Sequence, residues 1–173
     1  MLAFRPDSKM LAVGSFDTTI RLWRVDTGRN TAVLKGHSFT PISLAFSPDG
    51  KTLASGSTRG KIRFWDVATG RNLATIAATA EKGPGVIYLV YDRRGKRLLH
   101  CDSNGTVVLW RMPSRKKVAT LKGHFATVEV AAFRADEKSV VLVGRGLKTR
   151  VRECIQWDLQ SGRVTARLPT PII

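Results

Sequence analysis

The chain has 173 residues, 43% of them hydrophobic, and carries 29 Lys plus Arg against 13 Asp plus Glu, a formal net charge of +16. That length can bury a core. No apolar run approaches the roughly 18 residues a membrane-spanning helix needs, and no segment is of low complexity, which excludes a helical membrane span and a biased, coreless chain.

The first elements lie in Leu2-Ala3-Phe4-Arg5-Pro6-Asp7-Ser8-Lys9-Met10-Leu11-Ala12, where an apolar run, a Pro-Asp turn and a second apolar run predict strand, turn, strand. Thr19-Ile20-Arg21-Leu22-Trp23 predicts a third strand, Val25 to Asn30 a turn, and Thr31-Ala32-Val33-Leu34 a fourth. The pattern then restarts. Ile42 to Phe46, a Pro48-Asp49-Gly50 turn and Leu53 to Ser57 repeat the first half; Lys61-Ile62-Arg63-Phe64-Trp65 and the Val67 to Asn72 turn repeat the second. Thr79 to Gly85 has the composition of a connecting loop. Further copies follow around Thr106-Val107-Val108-Leu109-Trp110 and Glu153-Cys154-Ile155-Gln156-Trp157, and Val164 to Leu168 predicts the last strand. The four tryptophans stand 42, 45 and 47 residues apart, near the roughly 40–45 residues of one four-stranded propeller blade. The expected organisation is one repeat domain, 1–173, with units at about 1–35, 40–77, 86–122 and 127–168.

These phrases resemble the WD-repeat family of β-propellers over essentially the whole chain. Trp-Asp stands at Trp65-Asp66 and Trp157-Asp158, and Gly-His at Gly36-His37 and Gly123-His124. The expected fold class is all-β, four antiparallel four-stranded blades, as an open arc or half of a larger ring. The resemblance implies a hydrogen-bonded tetrad of His, Ser or Thr, Asp and Trp bracing each blade. Its remnants here are Asp17 and Trp23, then His37 and Trp65, then Trp110, then His124 and Trp157. Arg59 and Asn104 take the Asp place in the second and third units, and Thr79-Ala80 stand near the third Gly-His position. The fourth unit has an expanded turn from Arg145 to Arg152, and Gln156 replaces the apolar Leu22, Phe64 and Leu109 of its siblings.

The first strand is expected to begin before Met1, as in a stretch cut from a longer propeller. Four blades leave two sheet faces to cover, so the remaining blades of a longer chain or a second copy of this one are expected partners.

In the resembled fold the a–b and c–d turns share one rim, and the b–c turns share the other with the loops between blades. Lys9, Lys51, Arg93, Arg94, Lys96, Arg97 and Lys138 fall at a–b turns, and Arg29, Arg71, Arg115, Lys116, Lys117 and Arg163 at c–d turns, predicting one basic rim. Such a rim suits nucleic acid, an acidic protein or an anionic surface, although Gly-Lys and Gly-Arg are also ordinary solvated turn sequences. No aromatic stacking platform accompanies the cations. On the opposite rim, where relatives grip peptides, the candidates are Phe16, Thr18, Phe39, Thr58, Arg59, Asn104, Phe125, Arg145, Lys148, Arg150 and Arg152. Phe16, Phe39 and Phe125 fall in predicted loops, free either to anchor a partner or to cover the adjoining blade.

Catalytic patterns are missing: no P-loop spacing, no His-Glu-x-x-His, no Gly-x-Ser-x-Gly and no Cys-x-x-Cys. His100 and Cys101 are strand neighbours pointing to opposite faces, which rules out a simple nucleophile and base pair. The two cysteines, Cys101 and Cys154, do not suggest a disulfide scaffold, and Cys154 occupies an apolar strand position. The expected function is a non-enzymatic scaffold, without metal or cofactor, that binds other proteins or peptides through its loop rims; the cytoplasm is the expected compartment. Two alternatives stand beside it: an anion binder working through the basic rim, and a sensor or targeting domain of a larger enzyme such as a protein kinase.

Overall fold

A computed structural model describes residues 1–78 and 83–168. Its strands form four four-stranded antiparallel sheets, each hydrogen-bonded in chain order, the architecture the repeats predict. Sheet 1 contains β1 (Leu2–Phe4), β2 (Met10–Gly14), β3 (Ile20–Arg24) and β4 (Asn30–Leu34). Sheet 2 contains β5 (Pro41–Phe46), β6 (Thr52–Ser57), β7 (Lys61–Asp66) and β8 (Asn72–Ala77). Sheet 3 contains β9 (Val86–Tyr91), β10 (Arg97–Asp102), β11 (Val107–Arg111) and β12 (Lys116–Leu121). Sheet 4 contains β13 (Phe125–Phe133), β14 (Ser139–Gly146), β15 (Arg152–Asp158) and β16 (Val164–Leu168). Contacts divide the chain into two compact units, Met1–Leu89 and Val90–Ile173. The expected loop residues Thr79 to Lys82 lie outside the described residues.

Every sheet carries the same irregularity between its third and fourth strands. The register shifts between Leu22 and Trp23, Phe64 and Trp65, Leu109 and Trp110, and Gln156 and Trp157. One extra residue on the outer strand, Thr31, Leu73, Val118 or Thr165, is left unpaired at the shift. Each of these residues is exposed, as expected of a β-bulge that turns its extra side chain outward. The carbonyl before the Trp is then served by side chains: Leu22 O accepts from Asn30 Nδ2 at 3.2 Å and Phe64 O from Asn72 Nδ2 at 3.1 Å. The Arg-Asn that ends two of the predicted turns is therefore a bulge signature.

In the first unit, Ala12, Ile20, Leu22 and Leu34 of sheet 1 share one apolar cluster with Leu44, Phe46, Leu53 and Trp65 of sheet 2 and with Val67 in the turn after β7. Gly14 is required there, because a Cβ on it would stand 2.8 Å from the Pro41 carbonyl. The opposite face of sheet 1, with Leu11, Val13, Arg21 and Trp23, is half-exposed. In the second unit, Val140, Leu142, Ile155 and Trp157 bury one face of sheet 4, while Val141, Val143, Cys154 and Gln156 leave the other half-exposed. Gln156 replaces an apolar residue on a face that water reaches, where its Oε1 accepts from Arg134 Nη1 at 3.1 Å.

Two expectations need correction. The Arg145 to Arg152 expansion lengthens the strands as well as the turn: Arg145 and Gly146 close β14 and Arg152 opens β15, so the loop proper is 147–151. Phe125 is not in a loop; it opens β13 and is 1% exposed. A Cβ on Gly105 would meet the Phe125 carbonyl at 2.1 Å, so a glycine at this turn lets the start of β13 come close enough to bury the ring.

The first-to-second-strand turns share one conformation. Ser8, Gly50, Gly95 and Glu137 hold φ of 59°, 68°, 66° and 56°, and each donates its N–H to the carbonyl three residues back. A side chain costs about 1–2 kcal/mol in this left-handed region, offset in part by the lower chain entropy of a non-glycine residue when unfolded. Ser8→Gly is therefore expected to raise the unfolding free energy in urea by about 0.5 kcal/mol, and Gly50→Ala to lower it, with Arg5 Cδ already 3.1 Å from the added Cβ. A destabilised Ser8→Gly would contradict this account of the turn.

Candidate partner-binding rims

In each antiparallel sheet the b–c turn lies at one end and the a–b and c–d turns at the other. At the b–c end of sheet 1, Ser15 N–H donates to Thr19 O at 3.0 Å and Thr18 N–H to Ser15 O at 3.2 Å. Asp17 closes the turn: its Oδ1 accepts from Thr19 N and Thr19 Oγ1, and its Oδ2 from Arg21 Nη2 at 2.7 Å. These bonds, led by the Thr19 hydroxyl, hold its carboxyl well below the usual carboxylate range. Asp17 therefore braces its own turn. Phe16 stands 91% exposed beside it. Thr18 adopts φ 69°, where sheets 2 and 3 place Gly60 and Gly105, and a β-branched residue there is an outlier.

At the same end of sheet 2, Thr58 N–H donates to Thr40 O, and the Arg59 guanidinium lies 4.3 Å over the Phe39 ring. The structure brings these two candidates together, and the Arg that replaces the expected Asp covers the aromatic ring. In the second unit Asn104 is exposed at its turn, but the group that orders this turn is Asp102, whose Oδ1 accepts from Asn104 N and Thr106 N at 2.9 Å each. Asn104 stands where sheet 1 has Asp17, and Asp102, which the sequence patterns did not single out, stands where sheet 1 has Ser15. Arg152 pairs with Glu129 at 2.9 Å; Arg145, Lys148 and Arg150 are exposed at and around the β14–β15 turn.

The opposite end is less uniformly basic than its count of cations implies. In the first unit an open groove of ≈ 780 Å³ is lined by Arg5 and Lys51 but also by Asp7, Asp49 and Asp66. Arg5 grips Asp7 through two bonds of 2.8 Å. Lys9, Arg29, Lys51 and Arg71 are exposed there. In the second unit Arg97 is structural: it bonds buried Asp92 at 2.8 Å, donates to Glu137 O at 2.7 Å and lies 5.4 Å from the Phe133 ring centre. Arg94 also pairs with Glu137, at 3.1 Å. Arg93, Lys96, Lys116, Lys117, Lys138 and Arg163 are exposed, and Arg115 is half-buried.

The Trp-centred networks differ between sheets. In sheet 2, Ser55 Oγ accepts from Trp65 Nε1 and bonds His37 Nε2, both at 2.7 Å. In sheet 3, His100 fills the Ser55 position and its Nδ1 accepts from Trp110 Nε1 at 2.8 Å. In sheet 4 Leu142 occupies that position, and Trp157 Nε1 is buried without a partner. Half-buried His124 accepts from Leu147 N through its carbonyl. Trp23 has Val13 at the Ser55 position and is half-buried. Burial, then the Arg63 and Lys61 charges, push the His37 pKa down to about 4; burial pushes His100 down to about 4. Burial also raises the Cys101 thiol well above its usual range. Among the described residues no three His, Cys, Asp or Glu side chains group as metal ligands, and no helix is long and apolar enough to cross a membrane.

Two tests follow from this chemistry. Arg97→Ala strands the buried Asp92 carboxylate and should cost about 3 kcal/mol in chemical denaturation, whereas Arg93→Ala and Lys96→Ala should stay within about 0.5 kcal/mol; equal effects would make Arg97 an ordinary surface charge. Because His37 and His100 are neutral when folded and take up a proton below pH 6.5 when unfolded, their stabilisation is intact above pH 6.5 and lost as pH falls towards 4, by up to about 3 kcal/mol each. His100→Ser should flatten that pH dependence between 6.5 and 4, and an unchanged slope would count against a buried neutral ring.

Family models match two segments: the Vps8 beta-propeller model over residues 38–124, and the WD domain, G-beta repeat model over residues 2–24. No curated protein matches the chain. With four Trp-bulged antiparallel sheets behind them and one model covering half of the chain, these matches identify the chain as a member of the WD-repeat β-propeller family, within which the Vps8 beta-propeller is the match over that half.

Proposed function

We propose that the chain is a protein-interaction scaffold that engages partner peptides through the b–c ends of its blades. Propellers of this family commonly mediate protein–protein interaction and are generally non-enzymatic. The observation that carries the proposal is Phe16, 91% exposed on a turn pinned by Asp17 and strained at Thr18. An aromatic side chain that the core does not use, held on a preorganised turn, is the form an interface anchor takes. Phe39 with Arg59 offers a second, half-buried aromatic surface at the same end of the neighbouring blade.

The alternative, an anion binder working through the a–b and c–d turns, has the net charge of +16 in its favour. Against it, the grooves at that end mix carboxylates with their cations, and Arg94 and Arg97 are engaged in internal pairs. Each carboxylate weakens the local field a polyanion would meet.

Selection of binders from a random peptide library on the intact chain, followed by titration at 50 and 200 mM salt, separates the two. For the scaffold, Phe16→Ala should weaken the selected peptide about tenfold or more, with little salt dependence. Binding of single-stranded RNA that falls roughly a thousandfold over the same salt range, and that is insensitive to Phe16→Ala, would replace the scaffold with the anion binder.

A further inference from the structure

The β14–β15 hairpin concentrates charge without neutralising it. Arg145 and Arg152 stand directly opposite each other in the ladder, a like-charge pairing that destabilises a sheet. Glu129 answers Arg152 at 2.9 Å. Among the described residues no carboxylate comes within ion-pair distance of Arg145, Lys148 or Arg150. Between these cations the hairpin exposes two aliphatic side chains, Leu147 at 43% and Val151 at 61%.

The hairpin is also braced. Gly146 N–H donates to Val151 O at 2.9 Å, Arg150 N–H to Gly146 O at 3.0 Å, and Leu147 N–H to His124 O at 2.9 Å. Thr149 Oγ1 bonds Glu153, whose other oxygen accepts from Arg167 Nη1 at 2.6 Å. Glu129 is taken up by Arg152 and Glu153 by Thr149 and Arg167, so among the described residues neither acid answers Arg145, Lys148 or Arg150. A rigid surface loses little entropy on binding.

We infer that this hairpin tip is a binding site for an acidic peptide segment in which an apolar side chain is flanked by Asp or Glu. The peptide's apolar side chain covers Leu147 and Val151, and its carboxylates meet Arg145, Lys148 and Arg150. Two of the three cations are arginines, whose planar forks match carboxylates in bidentate fashion. The tip carries no Trp, Tyr or Phe of the kind that seats a protein in a lipid interface, which favours a peptide over an anionic membrane. The inference deepens the scaffold reading by naming one of its contact sites and its ligand chemistry.

The test is fluorescence anisotropy of the intact chain with a labelled Asp-Glu-Leu-Glu-Asp peptide, beside a version with Ser in place of Leu and beside vesicles containing phosphatidylserine. The Leu peptide should bind and the Ser version should bind more weakly. Arg145→Glu and Arg150→Glu should each weaken binding about tenfold or more, and Leu147→Ser several-fold. Lys117→Glu and Arg163→Glu, at the other rim, should leave it unchanged. Unaltered circular dichroism and unfolding midpoint show that each variant is folded. No binding of the Leu peptide, or equal losses from both rims, overturns the site. Vesicle binding that depends on Arg145 and Arg150 while the peptide fails replaces the ligand with a lipid surface. If the Leu peptide fails while Phe16→Ala still releases a library-selected peptide, the site falls and the scaffold reading stands; if the Leu peptide fails and Phe16→Ala has no effect on the library-selected peptide, both fall.

Discussion

Each blade is built around the register shift that precedes its tryptophan. The shift places one extra residue on the outer strand and increases the local twist, so the Trp ring settles on one face of the sheet while the bulge residue points to water. Trp65, Trp110 and Trp157 are buried by that arrangement, and Leu73 and Val118 are exposed by it. Two apparent anomalies of hydrophobic exposure are therefore products of the same backbone feature. The bulge recurs although the residue paired with the Trp changes, from Asn30 and Asn72 to Lys117 and Val164, and in sheet 4 it is Thr165 Oγ1 that donates to the Gln156 carbonyl, at 3.4 Å. Backbone geometry is repeated more faithfully than the hydrogen bonds that support it.

The same distinction explains how much was legible in the sequence. The strands, the Pro-Asp-Gly turn and the Trp spacing are local patterns, and each recurs because alternating apolar residues and left-handed turn positions have few chemical solutions. The partners inside each blade are less legible. His100 looked like the neighbour of a cysteine, whereas it stands in the Ser55 position and receives the Trp110 N–H. The signal was available, since both residues lie ten before their Trp, but the substitution of an imidazole for a hydroxyl hides it. Phe125 followed a Gly-His and so read as loop; the contact with Gly105, twenty residues earlier in the chain, is what makes it core.

Charge was legible as a count but not as a field. The sequence places many cations at the a–b and c–d turns, yet there Arg5 holds Asp7 and Arg97 holds Asp92, pairs that stabilise turns and sheet contacts instead of attracting a polyanion. The opposite end carries fewer cations and leaves several unanswered. Spatial pairing decides which cations project a field, and that pairing depends on carboxylates as close as two residues in the chain or as distant as Glu137 from Arg97.

In the proposed scaffold the ladders are a stiff support and the b–c turns are the surface offered to partners. The measurement that tests this most directly is amide hydrogen exchange of the intact chain, alone and saturated with a library-selected peptide. The account predicts that added protection is confined to b–c turns, at residues 15–19, 57–61 or 146–152, while the ladders and the a–b turns are unchanged. Protection centred on residues 5–9, 47–51 or 92–97 would contradict it and move the binding face to the other rim.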